Sequence, residues 1–187
     1  MEVKPKEIEQ AKKSVLTPIH QPVTRVYVDG NNLSCAAREM EIDVDYKALR
    51  LYLIGRGKSE FSYYRGVAQH PTLAHQRFIG SLEKYGYRVT QLPIAKFADG
   101  TVKTVGDDMA MGMDVLEESR TGDRVVLVTG DGDFIPVVKR LQAKGVNVTV
   151  VGRKANTSSE LRCLADDYIN LETIKYQIAV HTKLTLV

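Results

Sequence analysis

Two almost continuously apolar stretches restrict the fold of this chain more than any other feature of the sequence. They are Val125-Val126-Leu127-Val128 and the run at 146–151, and a largely apolar strand of this kind is typical of a sheet that is covered on both faces. Helical patterns separate the β-rich runs along the chain. This arrangement is typical of a mostly parallel sheet with helices on both faces, so we predict a three-layer α/β/α sandwich.

The predicted sheet has five or six strands. Short β-rich runs bounded by turn residues place them at 24–29, 60–65, 87–92, 124–129, 146–151 and 168–171. Apolar spacing and end signals predict helices through Ala36 and Ala37, from Asp45 to 54, and over 73–85, 107–119, 134–143 and 159–164. The Asp99-Gly100 pair indicates a β-hairpin between Ile94 and Val105. Met109, Met113 and Leu116 fall at helical spacing and predict a core face.

The 187 residues suit one domain, which we place at 23–171. Residues 1–22 mix lysine with glutamate and close on Pro18 and Pro22, which predicts an arm that is either helical or disordered. Residues 172–187 form a C-terminal extension that could add a strand or a pairing edge.

Composition excludes several classes of protein. No apolar run approaches the ~20 residues of a membrane span, and the N-terminus lacks the apolar core of a signal peptide. Cys35 and Cys163 form no CxxC pair, so neither a disulfide framework nor a zinc cluster is expected. We expect a cytoplasmic protein with no membrane partner. The net charge of +3 excludes a strongly basic coat, so any nucleic acid must bind at a local patch.

Acidic residues follow the predicted strands at one edge of the sheet. Asp29 ends the first strand, and Asp131 and Asp133 come directly after the fourth. With a strand order of 3-2-1-4-5 these two strands are neighbours where the winding reverses, a place where open α/β sheets form their sites. Asp107 and Asp108, at the start of the helix predicted over 107–119, could add a fourth carboxylate.

Such a cluster needs a cation to offset its repulsion, and Mg²⁺ or Mn²⁺ prefers oxygen ligands of this kind. The chemistry indicated is metal-dependent phosphodiester hydrolysis. The same aspartates also suit structural roles, as a turn after Asp29 or as helix N-caps at Asp133 and at Asp107 or Asp108. Arg65, Lys103 and the Arg153-Lys154 pair either hold phosphate or form solvated surface.

Five segments, in order, together resemble the NYN domain, and more specifically its LabA-like branch within the PIN-like nuclease superfamily. They are VYVDGNNL at 26–33, the acidic helix with Asp108 and Asp114, VLVTGDGDFIPVV at 126–138, GVNVTVVG at 145–152 and SSELRCLADDYINL at 158–171. The resemblance implies a PIN-like fold whose acidic cluster binds Mg²⁺ or Mn²⁺ and, in active members, cuts RNA. It also implies a homodimer, since PIN-like domains often associate.

The resemblance assigns roles to individual residues. Asp29, Asp108, Asp131 and Asp133 match its acidic positions and are the implied metal ligands and catalytic residues. Asn32 matches an asparagine that positions the metal shell or the phosphate, and Thr129 stands where the family has Ser or Thr. Together with Lys103 and Arg65, Thr129 is expected to position the substrate.

The acidic helix departs from the family pattern. LabA-like members usually have Lys-Gly-Val-Asp where this chain has Val105-Gly106-Asp107-Asp108, with Lys103 displaced upstream. Asp107 and Asp114, seven residues apart, share a helical face, whereas Asp108 lies off it. We favour Asp108 on the motif, while Asp107 and Asp114 stay open.

Three functions compete for this sequence. A metal-dependent endoribonuclease is favoured, and the alternative is an RNA-binding or regulatory module of the LabA type that cleaves weakly. A haloacid-dehalogenase-type phosphatase fits less well, because its acid/base aspartate would stand at Asn31.

Overall fold

A computed structural model describes residues 20–97 and 100–181 of the chain. Its centre is a seven-stranded sheet of order β4-β3-β2-β1-β5-β6-β7, in which all neighbours are parallel except β3 and β4. The strands are β1 (Thr24–Asp29), β2 (Ser59–Val67), β3 (Tyr87–Lys96), β4 (Val102–Thr104), β5 (Arg124–Val128), β6 (Asn147–Gly152) and β7 (Asp167–Asn170).

Helices cover both faces of this sheet. They are α1 (Gly30–Glu39), α2 (Tyr46–Leu53), α3 (Leu73–Lys84), α4 (Asp107–Glu118), α5 (Ile135–Ala143), α6 (Ser159–Leu164) and α7 (Leu171–Ile178). One core cluster joins the sheet to α1, α2, α3 and α7, and a second joins it to α4, α5 and α6. The predicted three-layer α/β architecture is confirmed.

The apolar run in β5 is explained by burial on both faces. Val126 and Val128 belong to the first core cluster, whereas Val125 and Leu127 belong to the second. All four are at most 1% exposed. A central strand without alternation is therefore what two covering layers of helices require.

The sheet has one strand more than the five or six predicted. β3 continues to Lys96 and turns back into β4, pairing Ile94 with Thr104 in antiparallel fashion. The predicted hairpin between Ile94 and Val105 is thus present, and it supplies the seventh strand. Asp99, on which that prediction rested, lies outside the described residues.

The chain after β7 is a helix where an extra strand was considered. Asn170 caps α7 by accepting a hydrogen bond from the backbone N–H of Glu172. Leu171, Ile174 and Ile178 recur at helical spacing and are buried, and α7 packs against α2. Residues 182–187, at the end of this extension, and 1–19, in the predicted arm, lie outside the described part of the chain.

The core face of α4 is not the predicted one. Met111, Gly112 and Val115 are buried, whereas Met109 is 69% and Met113 is 53% exposed. Leu116, the third predicted residue, is partly buried against the second core cluster. Because several apolar residues occur on this helix, spacing alone allowed two faces, and the packing against α5 and β1 selects the other one.

Candidate active site

The carboxyl ends of β1 and β5 lie side by side, as the predicted strand order requires. Val28 at the end of β1 pairs with Val128 at the end of β5, and β2 lies on the other side of β1. The first helix after β1 contributes to one face of the sheet and the helix after β5 to the other. This is the topological switch point, where a crevice opens between the two diverging chains.

Asp29 is the most buried carboxylate at this edge, at 8% exposure. Its Oδ1 accepts hydrogen bonds from the backbone N–H groups of Asn31 (3.0 Å) and Asn32 (2.9 Å), and so caps α1. Thr129 Oγ1 donates to Oδ2 at 3.3 Å. Burial raises the pKa of Asp29, helped by the charge of Asp107 and opposed by these hydrogen bonds. The carboxylate is therefore held in one orientation, with Oδ2 turned towards the β5 end.

Asn32 and Thr129 hold the loop after β5 against α1. Asn32 Oδ1 accepts from the backbone N–H of Gly130 at 3.0 Å. Thr129 Oγ1 accepts a hydrogen bond from the backbone N–H of Asp131 at 3.2 Å. The residue is buried, with 1% of its surface exposed. The buried Thr129 hydroxyl therefore joins the Asp29 carboxylate to the backbone of Asp131.

The short turn after β5 is capped by Asp131 and not by Asp133. Asp131 Oδ1 accepts from the backbone N–H of Asp133 at 2.9 Å and starts a 3₁₀ turn, Gly132–Phe134. Helix α5 follows without a side-chain cap, so the N-cap role considered for Asp133 is wrong. The Asp133 side chain is exposed.

Asp107 and Asp108 bring the first turn of α4 to the same edge. The N-cap of α4 is Gly106 at φ 80°, so neither aspartate caps the helix. Asn31 Nδ2 donates to Asp107 Oδ2 at 2.9 Å and to Thr104 Oγ1 at 2.8 Å. This contact ties α4 and β4 to the start of α1.

Asp108 lies within electrostatic reach of four other carboxylates. The residue is exposed as a whole, yet partial burial of its carboxyl group raises the pKa of Asp108 to about 6. The negative charges that contribute next are Asp107, Asp29, Asp131 and Asp133. These five residues form the acidic cluster.

Asp114 has partners of its own away from the acidic cluster. Its Oδ2 accepts from Tyr64 Oη at 2.6 Å and from Arg88 Nη2 at 3.5 Å. The helical face that Asp107 and Asp114 share therefore joins a carboxylate of the cluster to one engaged in packing α4 against β2.

The acidic cluster fits a hard divalent cation by its chemistry. All of its donors are carboxylate oxygens, and none of its five members takes part in an ion pair among residues 20–97 and 100–181. No three His, Cys, Asp or Glu side chains of the described chain already converge as a formed metal site. The repulsion that raises the pKa of Asp108 is the kind that Mg²⁺ or Mn²⁺ relieves.

A groove lined by cations adjoins the acidic cluster. It encloses about 510 Å³ between α1, β2 and the β3–β4 hairpin, with Asp107 and Asp108 at its side. Arg65 and Lys103, both predicted to position the substrate, line it together with Arg38. The short strand β4 brings Lys103 here, and the Arg65 guanidinium lies 5.1 Å from the ring centre of Phe78.

Sequence reasoning left one member of this site open, Asp107, and missed two others. Asn31 and Arg38 were not proposed as site residues. Asn31 and Arg38 are seven positions apart on α1 and therefore share a face, which is the signal that could have found Arg38. Arg153 has a different place, because it is paired with Glu39 (2.6 Å) and Glu172 (2.9 Å).

Gly30 lets α1 begin directly against β2. A Cβ atom at this position would lie 2.5 Å from Tyr63 Cζ and 2.7 Å from the Tyr64 carbonyl oxygen. We expect Gly30→Ala to lower the free energy of unfolding by about 1–3 kcal/mol through overpacking. Urea denaturation measures this.

Gly80→Ala is the matched control for that substitution. Gly80 lies within α3, and a Cβ there meets no atom within 4 Å. It should raise stability by about 0.5–1 kcal/mol through helix propensity. Equal stability of Gly30→Ala and the parent protein would contradict the close packing at the start of α1.

Comparison with known proteins agrees with this architecture. The model of the NYN domain family matches residues 23–172, and the chain therefore belongs to the NYN domain family. It is similar to the Low amplitude and bright protein LabA of Synechococcus elongatus, with 27% identity over 158 residues, covering 80% of this chain and 84% of LabA.

A solved structure shares the fold. The crystal structure of a protein of unknown function from Vibrio parahaemolyticus superposes with a TM-score of 0.72 at 25% identity, covering 88% of this chain and all of that one. The predicted LabA-like NYN assignment is thus confirmed. Among the described residues, no helix is long and apolar enough to cross a membrane.

Proposed function

We propose that this protein is an endoribonuclease that uses Mg²⁺ or Mn²⁺ to hydrolyse phosphodiester bonds of RNA. The observation that carries the proposal is the acidic cluster beside a groove lined by Arg38, Arg65 and Lys103. Binding of a polyanion needs cations along its path. Metal-dependent cutting also needs a group of carboxylates that can hold the metal ion at the bond that is cut. Membership of the NYN family supports the same chemistry.

Each member of the site has a task in this reaction. Asp29 and Asp131 would hold the principal cation, because both are fixed by hydrogen bonds to Thr129 or to the backbone. When bound, the cation supplies a Lewis acid and lowers the pKa of an attacking water. Asp108 and Asp133 complete the oxygen set or orient that water. Asn32 keeps the loop after β5 in place, so that the carboxylates stay together.

The groove residues bind the phosphates that flank the scissile bond. Arg65 presents a planar guanidinium for bidentate contact with phosphate, whereas Lys103 acts as a point charge. Asn31 is an amide and cannot supply the carboxylate that a haloacid-dehalogenase-type phosphatase needs for its acid/base step. In this structure its side-chain N–H group donates to Asp107 and Thr104.

Cation binding should depend on pH through Asp108. Its pKa of about 6 means that a proton competes with the metal below that value, and that the carboxylate is free above it. We expect saturating Mn²⁺ to raise Tm by on the order of 5 °C near pH 7.5 and by much less near pH 5. Differential scanning fluorimetry measures both shifts.

Two variants separate this effect from general acid sensitivity. Asp108→Asn should give a small shift at both pH values, while Asp114→Asn, whose carboxylate faces Tyr64 and Arg88, should behave as the parent protein does. An equal Mn²⁺ shift at both pH values in the parent would contradict a role for Asp108 in holding the cation.

The second candidate is an RNA-binding or regulatory module that cleaves weakly. It is favoured by the absence of a formed three-ligand group among the described residues, and by the similarity to LabA. RNA binding that persists in EDTA, with no cleavage under Mn²⁺ or Mg²⁺, is the result that would select it.

We further propose a homodimer in the cytoplasm. β4 is the last strand of the sheet, with an exposed Val102, and it can pair with β4 of a second copy. Both cysteines, Cys35 and Cys163, are free, as suits a reducing compartment. Light scattering after gel filtration, with Val102→Pro as the variant that removes strand pairing, measures the dimer.

A further inference from the structure

An apolar hollow lies on the other side of the acidic cluster from the cationic groove. It encloses about 310 Å³ between α4 and α5 and is lined by Met109, Met113, Leu116 and Val137, with the buried Phe134 at its edge. This volume is at the small end of the ~300–1,000 Å³ range of ligand pockets, so it suits a single ring system.

The hollow and the acidic cluster share two carboxylates. Asp108 and Asp133 line the hollow, and Asp108 also lines the cationic groove. An occupant of the hollow therefore sits next to the position where the scissile phosphate would lie. Arg140 provides a cation at the same hollow.

We propose that this hollow receives the base of an unpaired RNA nucleotide next to the scissile phosphate. The inference rests on the proposed function, because it assumes that the strand crosses the acidic cluster. The backbone would lie along Arg38, Arg65 and Lys103 on one side of Asp108, and one base would enter the hollow on the other. The positive charge of the groove favours a polyanion there. Because Asp108 lines both the groove and the hollow, the next nucleotide of that strand would lie at the hollow.

The chemistry of the lining suits a nucleobase. Methionine side chains are flexible and polarisable, and their sulfur atoms make favourable contacts with aromatic rings. Met109 and Met113 lie one turn apart on α4 and are largely exposed, so both can close on a flat ring. Gly112 also lines the hollow and presents no side chain to it.

A base in this hollow cannot stay paired within a duplex. The site would thus select single-stranded segments, loops or bulges, whose bases can be splayed out, as in most sequence-specific recognition of RNA. The cut would fall beside an unpaired nucleotide.

The test compares two single strands of equal length, a short RNA and a ribose-phosphate strand that carries no bases. Both are labelled with fluorescein, and their affinities are measured by anisotropy in EDTA. We expect the parent protein to bind the RNA on the order of tenfold more tightly, as base contacts usually contribute. Met109→Ala combined with Met113→Ala should bring this ratio close to one and leave the affinity for the base-free strand unchanged.

The control variant removes two exposed apolar side chains elsewhere. Leu51→Ala combined with Tyr176→Ala, on α2 and α7, should keep the parent ratio. Equal affinity of the parent protein for both strands overturns the inference, and so does an undiminished ratio in the methionine variant. A methionine variant that changes only the oligomeric state identifies the hollow as a protein interface instead, which also overturns it.

Failure of the proposed function gives a different pattern. If neither strand binds, the RNA function and the inference are both rejected. If both strands bind equally while RNA is still cleaved under Mn²⁺, the inference alone is rejected.

Discussion

Asp29→Asn is expected to lower metal-dependent cleavage of RNA by at least about 10³-fold. The substitution removes the negative charge of the most buried carboxylate of the acidic cluster. It leaves an oxygen that can still accept from the N–H groups of Asn31 and Asn32, and asparagine caps helices as well as aspartate does. The variant should therefore fold, and cleavage of a labelled RNA measures the loss.

Asp45→Asn is the matched control for this variant. Asp45 caps α2 through a hydrogen bond from the backbone N–H of Ala48 at 3.0 Å, so it has the same structural role outside the acidic cluster. Its cleavage rate should equal that of the parent. Cleavage by Asp29→Asn at the parent rate, with a similar Tm, would exclude Asp29 from the reaction.

The second large effect is expected from the cationic groove. Arg65→Gln combined with Lys103→Gln should weaken RNA binding on the order of tenfold at low salt. It should also reduce the slope of log K against log salt concentration by about 1.4–1.8, since each of the two lost phosphate contacts removes ~0.7–0.9. Fluorescence anisotropy across a salt series gives both quantities.

The opposite edge of the sheet offers a control with the same change in charge. Arg56→Gln combined with Lys84→Gln removes two exposed cations near the amino ends of β2 and β3. This variant should keep the slope of the parent. An equal loss of slope in both double variants would mean that RNA is held by net charge and not by the groove.

The sequence predicts the central strands and the position of the acidic cluster well, for a physical reason. β1, β5 and β6 are buried on both faces, so their apolar residues are consecutive or nearly so and can be recognised in the sequence. A parallel arrangement then brings their carboxyl ends to one edge of the sheet. Asp29, Asp131 and Asp133 follow from that arrangement alone. The residues alone left Asp107 and Asp108 as alternatives, and the family resemblance favoured Asp108.

The parts that were left open or incomplete depend on contacts between distant segments. Asp107 stayed one of several candidates because its hydrogen bond comes from Asn31, 76 positions away, and no local pattern encodes that contact. The hairpin was predicted, but β4 has only three residues and is defined by its pairing with β3, so the seventh strand was not. The face of α4 was chosen by packing against α5, and α7 is held by burial against α2, so spacing alone left each of them ambiguous.

Metal-dependent cutting of RNA at the acidic cluster can be observed in a single cleavage assay. Purified protein is incubated with labelled single-stranded and structured RNA in Mn²⁺, Mg²⁺ or EDTA, beside an Asp29→Asn and Asp131→Asn double variant purified in the same way. We predict internal cleavage with either metal, none in EDTA and none by the double variant. Cleavage that survives in EDTA or in the double variant, or no cleavage by the parent protein under either metal, would contradict it.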